Sequence, residues 1–241
     1  MTIKAILFDF DDTLGNREEY SHRTYAQRVE EIMPDADPWL KETVIQMALI
    51  YDQHGDVPKK YVRERLIKMQ GVDLGEDFPD YWPEHQCENV VLYEDAMPTI
   101  EELKRRGYLV GILSNGDTYG QHRKIDKCGL DKVMDAITVS GDTDTQKPDP
   151  KIFIMTADKL GVKPEECAFV GDMFSRDVYG AHLAGMMPIW IWPSGRPWWA
   201  VCPTPVRCAA PPSASSSSAL SRISSSRNSM NSWPRSPPAI P

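Results

Sequence analysis

Beyond Asp177 the 241-residue chain contains no Asp or Glu, and beyond Lys163 no Lys. It also lacks a Cys-x-x-Cys pair, a histidine cluster at zinc spacing, a bilayer-length apolar run and any excess of basic charge. Each absence excludes something. Cys87, Cys128, Cys167, Cys202 and Cys208 are scattered, which argues for free thiols rather than a disulfide framework or a zinc site. The opening MTIKAILFDF has one Lys and a short apolar run broken by Asp9, too short for a signal peptide or a spanning helix. A soluble, cytoplasmic protein with no membrane partner is expected. The net charge of −8 disfavours nucleic acid, whose phosphates want a basic face.

The missing acids are concentrated in one place. Residues 193–241 hold five Arg and no acid, with runs such as SASSSSALSRISSS, so residues 1–192 carry 35 acids against 22 bases, a net charge of −13. The tail has no apolar period and cannot bury a core. Two expectations follow from its composition: a disordered low-complexity tail, whose Trp198 and Trp199 could still pack on the domain, or a segment read out of frame. No function is placed there.

What is present is a rhythm of short apolar runs and helical stretches. Strands are expected at Lys4–Phe10, Tyr108–Leu113, Ala136–Ser140, Cys167–Val170 and Pro188–Trp192. Helices are expected at Thr99–Arg106, Asp117–Cys128, Lys151–Leu160 and Asp177–Ala184, most of them stopped by a Gly. The alternation predicts an α/β fold, a doubly wound parallel sheet of the Rossmann-like kind. The segment 15–91 breaks the rhythm, with helical stretches at Glu18–Met33, Pro38–Tyr51 and Pro58–Met69. Within it Trp39, Thr43, Gln46, Met47 and Ile50 recur at helical spacing, and Tyr20, Tyr25, Trp39, Tyr51, Tyr81 and Trp82 are expected mostly in its core. The predicted organisation is a core of 1–14 and 92–192 with a helical cap of 15–91 over the carboxyl ends of the strands, where open α/β sheets bind ligands.

Four groups of polar residues fall just past those strand ends: Asp9 and Asp11; Ser114 and Asn115; Lys147; and Asp172 with Asp177. A crowd of carboxylates raises its own energy, which points to a bound cation or to chemistry that needs carboxylates. The ordered series DFDDTL, LSNGD, KPDP and GDMFSRD resembles the four motifs of the haloacid dehalogenase superfamily, across residues 3–192. The resemblance implies a magnesium-dependent hydrolase of a small phosphate monoester, with a cap inserted after the first motif and a small phosphorylated metabolite as partner. It implies Asp9 as the nucleophile that forms an aspartyl-phosphate and Asp11 as the general acid, its pKa raised by the crowding of acids. Mg²⁺ would be held by the carboxylates of Asp9 and Asp172 and the backbone carbonyl of Asp11. Ser114, Asn115 and Lys147 would bind the phosphoryl group. Thr13 would fix the loop by hydrogen bonds, and Asp177 would hold Lys147 or a metal-bound water.

Blander expectations cover the remaining residues. Asp12 is read as outside the site, Asp117 as a helix cap, and Asp142 and Asp144 as facing water. His22, His54, His85, His122 and His182 share no spacing and are read as surface or packing residues. Arg17 and Arg23 could bind an anionic substrate tail. Two other functions stay open: 2-haloacid dehalogenase chemistry, which needs neither Mg²⁺ nor Asp11, and a non-catalytic binding or regulatory member of the fold.

Overall fold

The computed structural model describes residues 2–191. The two expectations for the tail, together with Trp198, Trp199, Cys202 and Cys208, lie outside the described residues. Strands β1 (Ala5–Phe8), β2 (Leu109–Ser114), β3 (Ala136–Val139), β4 (Cys167–Gly171) and β5 (Met187–Trp190) form one parallel sheet in the order β3-β2-β1-β4-β5. The central strand is buried on both faces, as its unbroken apolar sequence requires. Ile6 and Phe8 face a core with Ile100 and Leu103 of α5 (Ala96–Arg105) and Ile125 of α6 (Thr118–Lys127). Ala5 and Leu7 face Ile152, Phe153 and Ala157 of α7 (Pro150–Lys159) and Ala181 of α8 (Tyr179–Leu183). Truncating a fully buried residue such as Leu7 to Ala costs about 3 kcal/mol.

The strand order reverses at β1: the chain builds β2 and β3 on one side, then crosses to build β4 and β5 on the other. That crossing leaves a crevice between β1 and β4 at their carboxyl ends. Phe8 is level with both Ile112 and Val170, so the residues after the three strands emerge together.

Four helices lie between β1 and α5: α1 (Arg17–Ile32), α2 (Pro38–Asp52), α3 (Lys59–Gln70) and α4 (Phe78–Asn89). They have a core of their own, including Tyr25, Val29, Ile45, Leu66, Phe78 and Trp82, with Tyr25 and Trp82 ring centroids 4.5 Å apart. The segment leaves and rejoins the sheet side by side: Asn16 N–H donates to Val91 O and Tyr93 N–H to Leu14 O, each at 2.9 Å. Helix α4 has no counterpart among the expected helices. Pro79 and Pro83 hide it: the first occupies the opening turn, where no N–H is needed, and the second is carried inside the helix at the loss of one backbone bond. The helical spacing read on α2 is met by a helix, but the residues that show it are not its buried face. Trp39 is 82% and Ile50 63% exposed, and the buried face is Val44, Ile45, Ala48 and Tyr51. Of the six aromatics expected in the cap core, Tyr20, Tyr25, Tyr51 and Trp82 are buried, Tyr81 is partly buried and Trp39 is not buried. Among the described residues no helix is long and apolar enough to cross a membrane, and Cys87, Cys128 and Cys167 are free thiols.

Candidate active site

Asp9 is the first residue past β1, and its N–H donates to Val170 O at 2.9 Å, which sets it in the crevice beside β4. Lys147, 3% exposed, bridges two carboxylates there: its Nζ lies 2.8 Å from Asp9 Oδ1 and 2.7 Å from Asp177 Oδ1. Asp177 sits on an irregular helical turn, Phe174–Val178, and its other oxygen accepts from Met173 N–H at 2.9 Å. Gly171 makes this possible, because a Cβ there would collide with the Asp177 side chain. Carboxylate oxygens of Asp9, Asp172 and Asp177 lie within 4.8 Å of one another.

The electrostatics of this group are unbalanced in a telling way. Burial, only partly offset by Lys147, pushes Asp9 up to about 7. Burial and the nearby charges of Asp9 and Asp177 push Asp172 up to about 8. Burial works to discharge Lys147, but Asp9 and Asp177 overcome it and hold Lys147 up at about 12. Three carboxylates against one ammonium leave two negative charges, and Asp172 Oδ1 is buried without a hydrogen-bond partner among the described residues. An orphaned buried carboxylate oxygen is costly. A hard divalent cation with an oxygen preference matches both the charge and the donors, so these residues fit Mg²⁺.

Asp11 does not have the environment its proposed role leads one to expect. Burial favours its neutral form, but Lys124 and then Arg17 outweigh that, and the carboxyl is held down at about 2. Lys124 Nζ donates to both Asp11 oxygens at 2.7 and 2.9 Å, Gln121 Nε2 donates at 2.9 Å, and the Tyr20 hydroxyl also donates. Cations, not the crowding of acids, decide the proton affinity of Asp11.

Ser114 ends β2 with its Oγ buried and accepting from Gln121 Nε2 at 2.8 Å. The Asn115 side chain turns away from the carboxylates and clamps the backbone of Lys147, donating to its O at 3.0 Å and accepting from its N–H at 2.9 Å. The Asn115 amide is thereby committed to the Lys147 backbone. The Thr13 hydroxyl is buried without a hydrogen-bond partner among the described residues, so the loop is held instead by backbone bonds onto Phe10 O from Thr13, Leu14 and Gly15. Asp12 is buried rather than solvated and accepts from or shares a proton with His54 Nδ1 at 3.0 Å. Asp117 caps α6 as expected, accepting from Gly120 N–H at 2.7 Å. Asp142 and Asp144 are exposed, as expected, and pair there with His122 and Lys151.

The four loops open into a cleft of about 400 Å³ whose far wall comes from the helical segment: Arg17, His54, Lys59, Trp82 and Gln86. Arg17 lies in this wall, buried and 2.9 Å from Asp52. Arg23 does not; it pairs with Glu19 on the surface.

A family model described as haloacid dehalogenase-like hydrolase matches residues 3–185. The chain belongs to that family. Among curated relatives of this haloacid dehalogenase-like hydrolase, glyceraldehyde 3-phosphate phosphatase of Methanopyrus kandleri is 30% identical over 201 residues, 78% of this chain and 83% of the relative. N-acylneuraminate-9-phosphatase of Mus musculus is 34% identical over 210 residues, 80% and 84% of the two chains. A solved phosphatase of the family from Thermococcus onnurineus is 30% identical with a TM-score of 0.53, over 80% of this chain and 88% of that one. YfnB, a hydrolase of the family from Bacillus subtilis, is 23% identical with a TM-score of 0.65, covering 82% and 90%, and attests the fold alone. These likenesses place the chain among the phosphatases of the haloacid dehalogenase-like hydrolases.

Three residues around the haloacid dehalogenase-like centre escape sequence reading: Tyr20, Gln121 and Lys124. Gln121 and Lys124 stand at i, i+3 on α6, on the face turned to the first motif. Both are buried polar residues in a helix that starts at the second motif, and that spacing was the available signal.

Proposed function

We propose that the protein is a magnesium-dependent phosphatase that hydrolyses a small soluble phosphate monoester through an aspartyl-phosphate on Asp9. The observation that carries the reading is the Asp9–Lys147–Asp177 bridge beside Asp172, which sets a buried carboxylate next to a buried cation at the switch crevice of the sheet. Asp9 and Asp172, with the Asp11 carbonyl, would hold the metal, while Asp177 is already committed to Lys147 and Met173 N–H. The metal would neutralise phosphoryl charge and favour the ionised form of the two raised carboxylates.

The remaining work falls to the chain. Lys147 Nζ, 2.8 Å from the attacking carboxylate, can hold a phosphoryl oxygen against it in line. The Ser114 hydroxyl and the backbone N–H groups after β2 can hold the others. Attack by an Asp9 oxygen forms the O–P bond and expels the alcohol, and water then cleaves the acyl-phosphate. For Asp11 to protonate the departing alcohol, its side chain must leave Lys124 and turn toward the leaving oxygen, which also frees it from the charge that holds its proton affinity down. Residues 15–91 act in this reading as a cap on a core of 1–14 and 92–192, excluding bulk water and folded substrates. The free thiols support a cytoplasmic setting.

The test is turnover of p-nitrophenyl phosphate by the whole chain with Mg²⁺, with EDTA, and by Asp9→Asn. Activity with Mg²⁺ that both treatments abolish is the expected result. Activity that persists in EDTA on a haloacid, with none on phosphate esters, would replace this reading by dehalogenase chemistry. A folded sample inert on both would leave a binding protein.

A further inference from the structure

We infer that the helical wall of the cleft contains a carboxylate subsite built from Arg17 and Lys59, so that the preferred esters carry one more negative charge on the alcohol that departs. This rests on the phosphatase reading above and narrows it to phosphorylated acids. Arg17 opens α1 and Lys59 opens α3, and both compete for a single partner, Asp52 at the end of α2. Arg17 Nη1 lies 2.9 Å from Asp52 Oδ2, and the Lys59 ammonium pairs with Asp52 Oδ1. The three side chains are 8%, 11% and 1% exposed. Two basic side chains share one carboxylate in a wall largely withdrawn from water, and burial beside Arg17 and Lys124 lowers Lys59 to about 6, so a second carboxylate is needed to hold its proton.

The neighbouring acids cannot supply the balance, because each has a partner. Asp11 is held by Lys124 at 2.7 Å, Asp12 by His54 at 3.0 Å, and Asp56 by Arg176 at 2.7 Å. A charge kept from water without a counter-ion is costly, and an entering anion removes the cost. The single proton that Lys59 can hold selects the anion. One carboxylate matches one charge, whereas a second phosphate group would bring about two. Its shape also suits the site, since a planar guanidinium meets a carboxylate through two parallel bonds. Lys59 Nζ lies 4.3 Å from the centroid of the Trp82 ring, so an apolar face and a cation stand side by side where a short carbon chain ending in an acid would lie. Asp11, the proposed proton donor to the alcohol, lines the same cleft as Arg17 and Lys59, which sets the subsite on the leaving-group side of the reacting phosphorus.

The experiment compares kcat/KM for 3-phosphoglycerate and glycerol 3-phosphate with Mg²⁺, two esters alike except that one ends in a carboxylate and the other in a hydroxyl. The expected preference for the acid is about 10- to 100-fold, the span of a charge-assisted hydrogen bond. In Lys59→Gln and Arg17→Gln, each checked for folding by its thermal melt, the preference should fall toward one. Equal kcat/KM for the two esters in the unaltered enzyme, while p-nitrophenyl phosphate is still turned over, overturns the subsite and leaves the phosphatase reading standing. A preference that survives unchanged in a folded Lys59→Gln overturns it as well. No turnover of any ester overturns the phosphatase reading and the subsite together.

Discussion

Lys124 grips both oxygens of the Asp11 carboxylate, at 2.7 and 2.9 Å, from 113 positions further along the chain. The pair ties α6, the helix that follows β2, to the loop after β1. Removing the cation strands a largely buried carboxylate. Lys124→Met should therefore lose about 3 kcal/mol of stability at pH 7 in urea unfolding. Asp11 is depressed in the folded state, so the stability it contributes is present above its unfolded pKa of about 4 and is lost as pH falls through about 2. Wild type and variant should converge over that window. A constant gap across it would mean that the pair contributes little.

Asp9→Asn should lower p-nitrophenyl phosphate turnover by at least about 1,000-fold, since an amide cannot attack phosphorus. It should also raise the melting temperature of metal-free protein, because it removes one of three clustered carboxylates. A variant with near-normal turnover would disprove Asp9 as the nucleophile.

Metal and pH should act on stability together. Asp9 and Asp172 are raised in the folded state, to about 7 and about 8. Protein in EDTA should hold the stability they contribute below about pH 4 and lose it as pH rises through 7 to 8. Mg²⁺ competes with those protons, so the rise in melting temperature on adding it should be larger at pH 8 than at pH 6. Equal rises at the two pH values would contradict the carboxylate cluster as the binding site.

Asn115→Ala should leave Asp9 and Lys147 chemically intact and still slow turnover by about 10- to 100-fold, because the Lys147 loop loses its two-point clamp and a displacement of about 1 Å is costly in a reacting array. The loss should appear in kcat rather than KM, in steady-state kinetics at saturating Mg²⁺. Unchanged kcat would show that the Lys147 loop holds its lysine without Asn115.

The sheet was legible because four of its five strands announce themselves twice, by an apolar run and by the polar motif that follows it, and β5 by its apolar run alone. Ala5–Phe8 and Cys167–Gly171 differ from expectation only at their ends. The helical segment offered no such markers. Pro83 concealed α4, and Trp39 and Ile50 imitated a buried stripe on α2, because periodicity identifies a helix without saying which neighbour its faces meet. The site divides in the same way. Asp9, Lys147, Asp172 and Asp177 converge as residues at strand ends must. What each side chain touches depends on packing from the far end of the chain: Asn115 turned to the Lys147 backbone, Thr13 left its hydroxyl unpaired, and Asp11 acquired Lys124, Gln121 and Tyr20.

The two backbone bonds between 14–16 and 91–93 have a consequence for how such an enzyme diversifies. Asp9, Asp11, Ser114, Lys147 and Asp172, the residues of the proposed mechanism, lie on one side of this narrow neck, and Lys59 and Trp82, with the Asp52 that pairs Arg17, lie on the other. Helices could be exchanged between lineages at that neck like a tool head on a fixed shank, changing which alcohol is accepted while the reaction stays the same.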